Sequence, residues 1–565
     1  MAKKDLFLAV FAFSAFFSPF LAFHVNQQLT IESLFTANDV NVVELSKRDF
    51  ERSVHQSEYA SVVLFYLSWC GHCINFAPVY KKFALEVVAW RPVLRVAAIN
   101  CADTENNAIC NEYGVLSYPK IKFFEPRAAK YYGTELKLAS QHSVDAIVDS
   151  TLKILDEYSS LNSSPPQWPH LSAITARSKR ELLSKLPFAG NTPLVTIVEK
   201  LGSLLGLRVI LDLSEFHNRV IISRVVGDRF GLVHQLIPDP GYLPVLLKVK
   251  ATPEIDLLAR DSVGNELETR WNFIQKIDDD FLNGEWKEKH LGVKKVTVET
   301  WRASSPESYF DDSEKAELIP VHYVDLYNGI RISLHEEIGS HPKLNQTQVK
   351  VVRNYFRALL NYFPFENENA RRFVKRMTEW FNNRKSKDVM QQDFLAIMKA
   401  GSEGFLPRFQ PWQSCKSSKP NLRGYPCSLW LLFHTLTVSE YKRDHIGKGT
   451  KNKQKLHTVL YAIRDYIKYF FRCEQCAKHF IEMSANLENE LPHSNSSVLW
   501  LWEAHNKVNA RLKGDLTEDP LYPKVQFPTS NICAECHVAN NVWDKEKSTS
   551  SKTVNSSAPV QIPVT

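Results

Sequence analysis

Three pairs of cysteines carry most of the chemistry that this sequence could perform, and in each pair two residues lie between the cysteines: Cys70/Cys73, Cys473/Cys476 and Cys533/Cys536. Such close pairs are weak structural links, because a very small closed loop removes little entropy from the unfolded chain. They are better suited to thiol–disulfide exchange, in which one sulfur attacks and its neighbour resolves the mixed disulfide. We therefore predict catalytic roles for Cys70, Cys73, Cys473 and Cys476.

The other four cysteines form two wider local pairs, Cys101/Cys110 and Cys415/Cys427. The total of ten is even, which in an oxidising compartment predicts five local disulfides with no thiol left over. The wider spacing favours a structural role, so we predict that these two pairs brace the fold.

The first pair follows a strand-like run, Ser61–Leu67, and opens a helix-like stretch that continues to Val88. A cysteine at a helix N-terminus has a lowered pKa, which predicts that Cys70 is the attacking or leaving sulfur. The segment resembles thioredoxin-like domains, in which an acid often stands six positions before the first cysteine. Here that position is Leu64, so proton transfer must use water or another group.

Strand-like and helix-like stretches alternate on both sides of this motif, with further strands predicted at Val93–Ile99 and Lys120–Phe124. Such alternation indicates a sheet covered by helices. Tyr118–Pro119 precedes the last of these strands, and the resemblance to thioredoxin-like domains predicts a cis peptide bond there. A Ser-, Pro- and Asn-rich linker is predicted at Leu161–Pro169.

A second alternating segment contains no cysteine and so cannot perform thiol chemistry; strands are predicted at Pro193–Glu199, Leu207–Leu213 and Tyr242–Lys250. From about residue 300 the pattern becomes helical, as at Gln348–Tyr362 and Ala370–Phe381. A last helical block is rich in Trp, His and Cys. Hinges are predicted at the Leu161–Pro169 linker and near Asp278–Lys289.

Around the second cysteine pair, two predicted helices each place aromatic and polar side chains on one face. One carries Cys427, Trp430 or Leu431, and His434. The other carries Trp502, His505, Asn506 and Asn509. The pattern is compatible with a cofactor pocket, in which aromatic rings stack and polar groups orient the ligand, and also with an ordinary packed core.

Four motifs together resemble the quiescin sulfhydryl oxidase family: Trp69–Cys73, Arg423–Trp430, Phe471–Phe480 and Trp502–Asn509. The resemblance implies a multidomain α/β plus all-α fold. Its implied domains are a signal peptide at 1–22, a redox-active thioredoxin-like domain at 36–157, a redox-silent one at 166–275, a helical pseudo-Erv region at 285–397, an Erv-type helical bundle at 400–546 and a disordered tail at 547–565.

The same resemblance implies that the Erv-type domain binds FAD. The implied contacts are Arg423, Trp430, His434, His479, Trp502, His505, Asn506, Val508, Asn509, Lys524 and Phe527. Phe527 stands where relatives often have Trp, so it can stack but cannot donate a hydrogen bond. The implied electron path runs from substrate dithiols to Cys70/Cys73, then to Cys473/Cys476, FAD and molecular oxygen, giving hydrogen peroxide. Cys476 is the sulfur expected beside the flavin.

The third pair, Cys533 and Cys536, is followed by His537 and admits three interpretations. We favour a local disulfide away from the main electron path. Cys-x-x-Cys-His is also a c-type haem attachment pattern. Zinc shared with Cys473/Cys476 is the third alternative, although the gap between the pairs is long for a zinc site. We predict no metal.

The N-terminus predicts a secretory signal peptide, because Lys3 and Lys4 precede an apolar stretch that is interrupted at Pro19. Four sequons, at Asn162, Asn345, Asn495 and Asn555, are candidates for glycosylation. The net charge of +7 is spread along the chain and does not indicate nucleic-acid binding. We predict secretion or residence in the endoplasmic reticulum or Golgi lumen, reduced secretory proteins as substrates, and no transmembrane anchor.

Two other functions share parts of this pattern. A protein disulfide isomerase-like enzyme would use the first cysteine pair but would leave the helical Trp/His/Cys block unexplained. A non-enzymatic binding protein would use every cysteine structurally. Bound flavin and dithiol-dependent oxygen uptake would exclude both alternatives.

Overall fold

A computed structural model describes the chain at residues 32–138, 143–161, 164–227, 232–236, 243–250, 254–261, 264–290, 320–384, 387–401, 406–444, 457–493, 495–527, 537–538 and 542–543. Several predictions lie outside these residues: the signal peptide, the C-terminal tail, the Cys533/Cys536 pair, and the sequons at Asn162 and Asn555.

The first domain is a five-stranded mixed sheet with strand order β1-β3-β2-β4-β5. Its central strand β2 is buried along its whole length, as its β-branched and aromatic residues predict. The elements are β1 Val43–Leu45, α1 Lys47–Phe50, β2 Ala60–Tyr66, α2 Gly71–Glu86, β3 Leu94–Asn100, α3 Asn107–Glu112, β4 Lys120–Phe124, β5 Thr134–Glu135 and α4 Val144–Ser160. The Tyr118–Pro119 bond is cis, as predicted.

The second domain repeats this arrangement, with strand order β10-β9-β7-β8-β6. A second cis bond, Leu243–Pro244, precedes β9 just as Tyr118–Pro119 precedes β4. The elements are β6 Ala173–Ile174, α5 Lys179–Lys185, β7 Leu194–Glu199, α6 Leu205–Asp212, β8 Ile221–Val226, α7 Leu232–Leu236, β9 Val245–Val249, β10 Ile255–Arg260 and α8 Glu266–Ile277.

The predicted strand at Leu207–Leu213 is wrong, because helix α6 runs to Asp212 and Leu213 caps it. The run is short and mostly apolar, and its two polar residues, Arg208 and Asp212, stand four apart, as on one face of a helix. Most of the helix is buried, against its own sheet and against the first domain. Strands β6, β8 and β10 of this domain were not predicted.

A buried polar cluster joins the two sheet domains. The carboxylate of Asp212 accepts hydrogen bonds from Trp90 Nε1 at 2.9 Å and from Arg270 Nε at 2.6 Å. Arg270 Nη1 also contacts Glu86 of the first domain at 3.0 Å. Because a buried charge is costly unless it is paired, this cluster favours one relative orientation of the two domains.

The segment near Asp278–Lys289, where a hinge is predicted, makes several contacts within the second domain. Residues Asp278–Leu282 form a helical turn, and the Asp278 carboxylate accepts hydrogen bonds from the backbone N–H of Trp286 and of Lys287, each at 3.0 Å. The Trp286 side chain is buried and donates to the Asp212 carbonyl at 2.9 Å. This segment is therefore packed onto the second domain.

The remainder is helical, so the expected fold class is confirmed. The elements are α9 Tyr323–Ile332, β11 Lys343–Leu344, α10 Gln346–Tyr362, α11 Glu368–Asn383, β12 Val389–Met390, α12 Gln391–Lys399, α13 Gly424–Asp444, α14 Thr458–Phe470, α15 Glu474–Met483 and α16 Ser496–Leu512, followed by the short strands His537–Val538 and Val542–Trp543. The helices share one apolar core. Asn345, one of the sequons, caps α10 through a hydrogen bond from Gln348 N at 2.9 Å.

Candidate active site

The two described pairs with two residues between the cysteines, Cys70/Cys73 and Cys473/Cys476, stand at the N-termini of helices. Cys70 is the cap residue of α2, and Cys473 is the cap residue of α15. The partial positive charge of a helix N-terminus stabilises a thiolate at each cap. In each pair the second cysteine, Cys73 or Cys476, lies within the first turn of its helix.

The structure bonds Cys70 to Cys473, with the two Cα atoms 5.6 Å apart, and does not pair Cys70 with Cys73. Cys473 is also within bonding reach of Cys476, where the Cα separation is 5.3 Å. A sulfur makes only one disulfide bond, so this geometry is that of an exchange, with Cys473 between an attacking and a leaving sulfur. The expectation of purely local disulfides therefore fails for the first pair in this structure.

Cys73 is a buried free thiol in this arrangement. Burial raises its pKa to about 12, although a backbone hydrogen bond at Leu67 opposes the shift. A thiol with so high a pKa is a poor nucleophile at neutral pH, so Cys73 does not readily displace Cys473 from Cys70 while the domains are docked.

The other two described pairs are local disulfides, Cys101–Cys110 and Cys415–Cys427. The first ties Cys101, the residue after β3, to Cys110 within helix α3. The second ties the segment before α13 to the first turn of that helix. Neither shares a sulfur with the exchange cluster.

The main chain around Cys473 pairs with the residue before the cis proline. Cys473 and Tyr118 form a parallel β-bridge. Tyr118 N donates to the Arg472 carbonyl at 2.9 Å, and Glu474 N donates to the Tyr118 carbonyl at 3.3 Å. These two bonds hold Cys473 in an extended segment directly opposite Cys70.

The Arg472 side chain is buried where the first domain meets the helical region. Its guanidinium donates to the Val115 carbonyl at 3.2 Å and to the Tyr118 hydroxyl, both in the first domain. It also donates to Ser340 Oγ at 3.0 Å, while Arg472 N donates to Glu337 Oε2 at 2.8 Å. Burial raises the pKa of Glu337 to about 8, against the opposing charge of Arg472.

A cavity opens beside Cys476. Its walls come from α13, α15, α16 and the segment after α16, and Trp69 and Cys70 close one end. Seven of the eleven predicted FAD contacts line it: Arg423, Trp430, His479, His505, Val508, Asn509 and Lys524.

The other four predicted contacts do not line the cavity, and instead support side chains or loops that do. His434 lies 3.2 Å from His505, measured between Nε2 and Nδ1, and His505 stacks on Trp430 with ring centroids 4.1 Å apart. Asn506 holds the segment after α16 by two hydrogen bonds to the Phe527 backbone, at 2.7 and 3.0 Å. The ring of Trp502 packs edge-on against Phe527.

The two stacked histidines are neutral at physiological pH. Burial lowers the pKa of His434 to about 4. Burial also lowers the pKa of His505 well below its usual range, and the neighbouring His434 adds to the effect. A neutral pair avoids the cost of a buried charge and leaves the flat, polarisable ring of His505 at the wall of the cavity.

Among the lining residues that were not predicted as FAD contacts are Arg511, Tyr522 and Trp69. Arg511 Nη1 lies 2.6 Å from His479 Nδ1. The guanidinium of Arg423 stands 4.1 Å above the Tyr522 ring. The helical spacing of His505, Asn509 and Leu512 could have drawn attention to α16 as a whole, but no local pattern marks Tyr522.

This donor set fits a flavin dinucleotide. Aromatic rings can stack on flat heterocycles, and the cationic groups of Arg423, Arg511 and Lys524 suit a diphosphate. Trp69 Nε1 is buried and has no hydrogen-bond partner among the described residues. It is therefore available to a ligand group in the cavity.

Three family models match the chain. They are described as Thioredoxin, at residues 41–144, Flavin adenine dinucleotide (FAD)-dependent sulfhydryl oxidase, at residues 318–418, and Erv1 / Alr family, at residues 427–528. None of the helices in the described ranges is both long enough and apolar enough to cross a bilayer.

Two curated relatives are similar over most of the chain. Sulfhydryl oxidase 1 of Cavia porcellus is 30% identical over 91% of this chain and 80% of its own length. Sulfhydryl oxidase 1 of Homo sapiens is 32% identical over 87% of this chain and 63% of its own length. Among solved structures, the sulfhydryl oxidase fragment of human QSOX1 is 35% identical, covers 41% of this chain and 93% of the fragment, and has a TM-score of 0.36.

Proposed function

This chain belongs to the quiescin sulfhydryl oxidase family, and we propose that its electrons enter at Cys70/Cys73 and pass to Cys473/Cys476. Members of the family are FAD-dependent sulfhydryl oxidases, which form disulfides in thiol substrates. The single observation that carries the proposed path is the cluster of Cys70, Cys473 and Cys476, which brings sulfurs from two domains within 4.8 Å of one another.

The first half of the reaction takes place at the first domain. A substrate thiolate attacks Cys70 of the Cys70–Cys73 disulfide, forms a mixed disulfide and releases Cys73 as a thiolate. A second substrate thiolate then attacks the substrate sulfur and releases Cys70. The substrate leaves oxidised by two electrons, and the Cys70/Cys73 pair is reduced.

The second half moves these two electrons to the second pair. The Cys70 thiolate attacks Cys473 and displaces Cys476, which gives the Cys70–Cys473 linkage. Cys73 then attacks Cys70 and releases Cys473, so that Cys70/Cys73 is again a disulfide and Cys473/Cys476 is a dithiol. Because the Cys70–Cys473 bond joins the domains until Cys73 attacks, Cys73 must lose its proton while they are docked, against a pKa that burial raises to about 12.

The helical domain would hold FAD in the cavity beside Cys476. Arg423, Arg511 and Lys524 would bind its phosphates, and Trp430 with His505 would form a stacking surface. When bound, FAD supplies the two-electron chemistry that connects the Cys473/Cys476 dithiol to oxygen. The protein contributes orientation and a largely apolar cavity.

We propose the secretory pathway as the site of action, with reduced secretory proteins as substrates and molecular oxygen as the acceptor. The predicted signal peptide, the even number of cysteines and the relatives named sulfhydryl oxidase 1 support this location.

The test is oxygen uptake by the purified full-length holoenzyme with dithiothreitol as the donor. We expect a flavin absorbance spectrum and one peroxide formed for each dithiol oxidised. Cys476→Ala should retain the flavin but lose turnover, whereas Cys110→Ala with Cys101→Ala, which removes a local disulfide, should turn over. Undiminished oxygen uptake by Cys476→Ala would contradict the path. A colourless protein that only rearranges disulfides would instead indicate an isomerase.

A further inference from the structure

The segment that carries Cys473 lies on the first domain in the position that a substrate polypeptide must take. In the proposed reaction, a substrate cysteine and Cys473 each form a disulfide with the same sulfur, that of Cys70. Both must therefore approach past the Tyr118 main chain, which offers one N–H and one carbonyl to whichever segment is present. The docked segment is thus an internal template for the substrate.

The residue before the reacting cysteine makes specific contacts with the first domain. The Arg472 guanidinium donates to the Val115 carbonyl at 3.2 Å and lies 4.7 Å from the Tyr118 ring centroid. These two groups belong to the first domain, so they remain available when the helical region has moved away. They present a carbonyl, a hydroxyl and an aromatic face, which together recognise a cation.

The residue after the reacting cysteine meets opposite charge. Glu474 Oε2 accepts a hydrogen bond from Ser117 Oγ at 3.0 Å and pairs with Lys120 Nζ at 3.2 Å. On the other side of the arginine, Phe471 packs on the ring of Trp69 with centroids 5.8 Å apart. Trp69, Ser117 and Lys120 all belong to the first domain.

We propose that the first domain selects substrate cysteines in extended segments that have a basic residue immediately before the cysteine and an acidic residue immediately after it. This preference rests on the proposed electron path and adds a substrate class to it. An aromatic residue two positions before the cysteine strengthens the fit through Trp69. A groove lined by Pro119, Lys120 and Leu136 continues past Glu474 and leaves room for the residues that follow.

The test compares two peptides as substrates of the full-length holoenzyme. One has the sequence of residues 470–478, which contains both cysteines, and the other carries Arg472→Glu and Glu474→Arg. The two have the same composition and net charge. All steps after peptide release are identical, so the ratio of kcat/KM reports recognition. Each value is normalised to the peptide's rate with a small aromatic disulfide, which removes differences in thiol reactivity.

We expect the unswapped peptide to have a kcat/KM about tenfold higher, in line with charge-assisted contacts on both sides of the cysteine. Lys120→Glu should reduce this ratio about threefold, because an exposed ion pair contributes modestly. Lys47→Glu, the same charge change at an exposed lysine of the same domain, should leave the ratio unchanged.

Equal kcat/KM values for the two peptides would overturn the preference, provided that dithiothreitol still drives oxygen uptake. If Lys120→Glu and Lys47→Glu lowered the ratio of the two kcat/KM values equally, the preference would also be overturned, because the effect would then come from the overall charge of the domain. Absence of oxygen uptake with dithiothreitol and with both peptides would mean that the proposed electron path itself has failed.

Discussion

Gly71 faces Thr517 so closely that a Cβ atom built on Gly71 would stand 3.1 Å from Thr517 Cγ2. The two residues lie on opposite sides of the docked interface, one beside Cys70 and the other beside the cavity. Next to them, Asn75 Nδ2 donates a hydrogen bond to Asp515 Oδ2 at 3.0 Å. The approach of the two cysteine pairs therefore depends on a small residue at position 71.

We predict that Gly71→Ala slows transfer between the domains, because the added methyl group must push the Thr517 side chain or its backbone aside. The turnover number with saturating dithiothreitol should fall about fivefold, which corresponds to a cost of about 1 kcal/mol. Thr517→Ser in the same chain should restore turnover, because it removes Cγ2 and keeps the hydroxyl that bonds to Asp515. A Gly71→Ala enzyme that the second substitution does not rescue would show that the methyl group acts elsewhere.

A pair of double variants tests which cysteine of the second pair receives the attack. Cys73→Ser with Cys476→Ser leaves Cys70 and Cys473, whereas Cys73→Ser with Cys473→Ser leaves Cys70 and Cys476. The bridge between Tyr118 and Cys473 holds Cys473 opposite Cys70. With oxidised glutathione as the two-electron oxidant, which leaves as two thiols, we expect the first variant to form the interdomain disulfide almost completely. The second should form it several-fold less. Non-reducing peptide mass spectrometry measures both, and equal yields would argue against Cys473 as the point of attack.

An acid, Glu44, lies two strands away from Leu64 in the first sheet. Glu44 and Leu64 both pair with Ala98 of β3, which puts all three in one row of the sheet. Glu44 is largely buried and accepts a hydrogen bond from the Tyr66 hydroxyl at 2.8 Å. Burial raises the pKa of Glu44 to about 7, although hydrogen bonds from Tyr66 and Ser33 oppose the shift.

This raised pKa predicts the pH dependence of the first domain's stability. The folded domain favours the protonated form of Glu44. The free energy of unfolding is therefore highest, as far as Glu44 contributes to it, below about pH 4.5, and this contribution is lost as the pH rises to about 7. In Glu44→Gln, the decrease in the free energy of unfolding between pH 5 and pH 7.5 should be smaller by about 2 kcal/mol. Hydrogen exchange of strand β3, corrected for intrinsic rates at pH 5 and pH 7.5, measures the difference in opening free energy. Glu105→Gln, at an exposed carboxylate of the same domain, should leave this pH dependence unchanged. A wild-type chain whose opening free energy did not fall between pH 5 and pH 7.5 would contradict a raised pKa for Glu44.

The sequence predicts the elements that carry local patterns well. Strand β4 has the bounds predicted for it, and the first cysteine motif predicts the helix N-terminus at Cys70. It fails at helix α6, where a short and mostly apolar run is compatible with a helix and with a strand. Contacts between distant segments leave no local trace either. The contact of Arg472 with Val115 and the contact of Gly71 with Thr517 arise only when the domains dock.

Tyr522 is another residue whose role has no local trace in the sequence. Its substitution is a direct test of the cavity as the FAD site. The Arg423 guanidinium lies 4.1 Å above its ring and is held on the other side by the carbonyl of Ser414, at 2.8 Å from Nη2. Tyr522→Leu should release Arg423 and weaken FAD binding about fivefold, as loss of a cation–π contact of about 1 kcal/mol implies. Titration of the flavin-free protein with FAD, followed by flavin fluorescence, gives the Kd.

Leu521→Ala is the matched control for Tyr522→Leu, because Leu521 is the neighbouring residue and its side chain is exposed. The control should bind FAD as the unaltered chain does. If both variants weakened binding equally, the cause would be disturbance of the segment as a whole. If neither did, Arg423 would not be a phosphate ligand positioned by Tyr522, and the phosphates would depend on Arg511 and Lys524, the other two cationic groups that line the cavity.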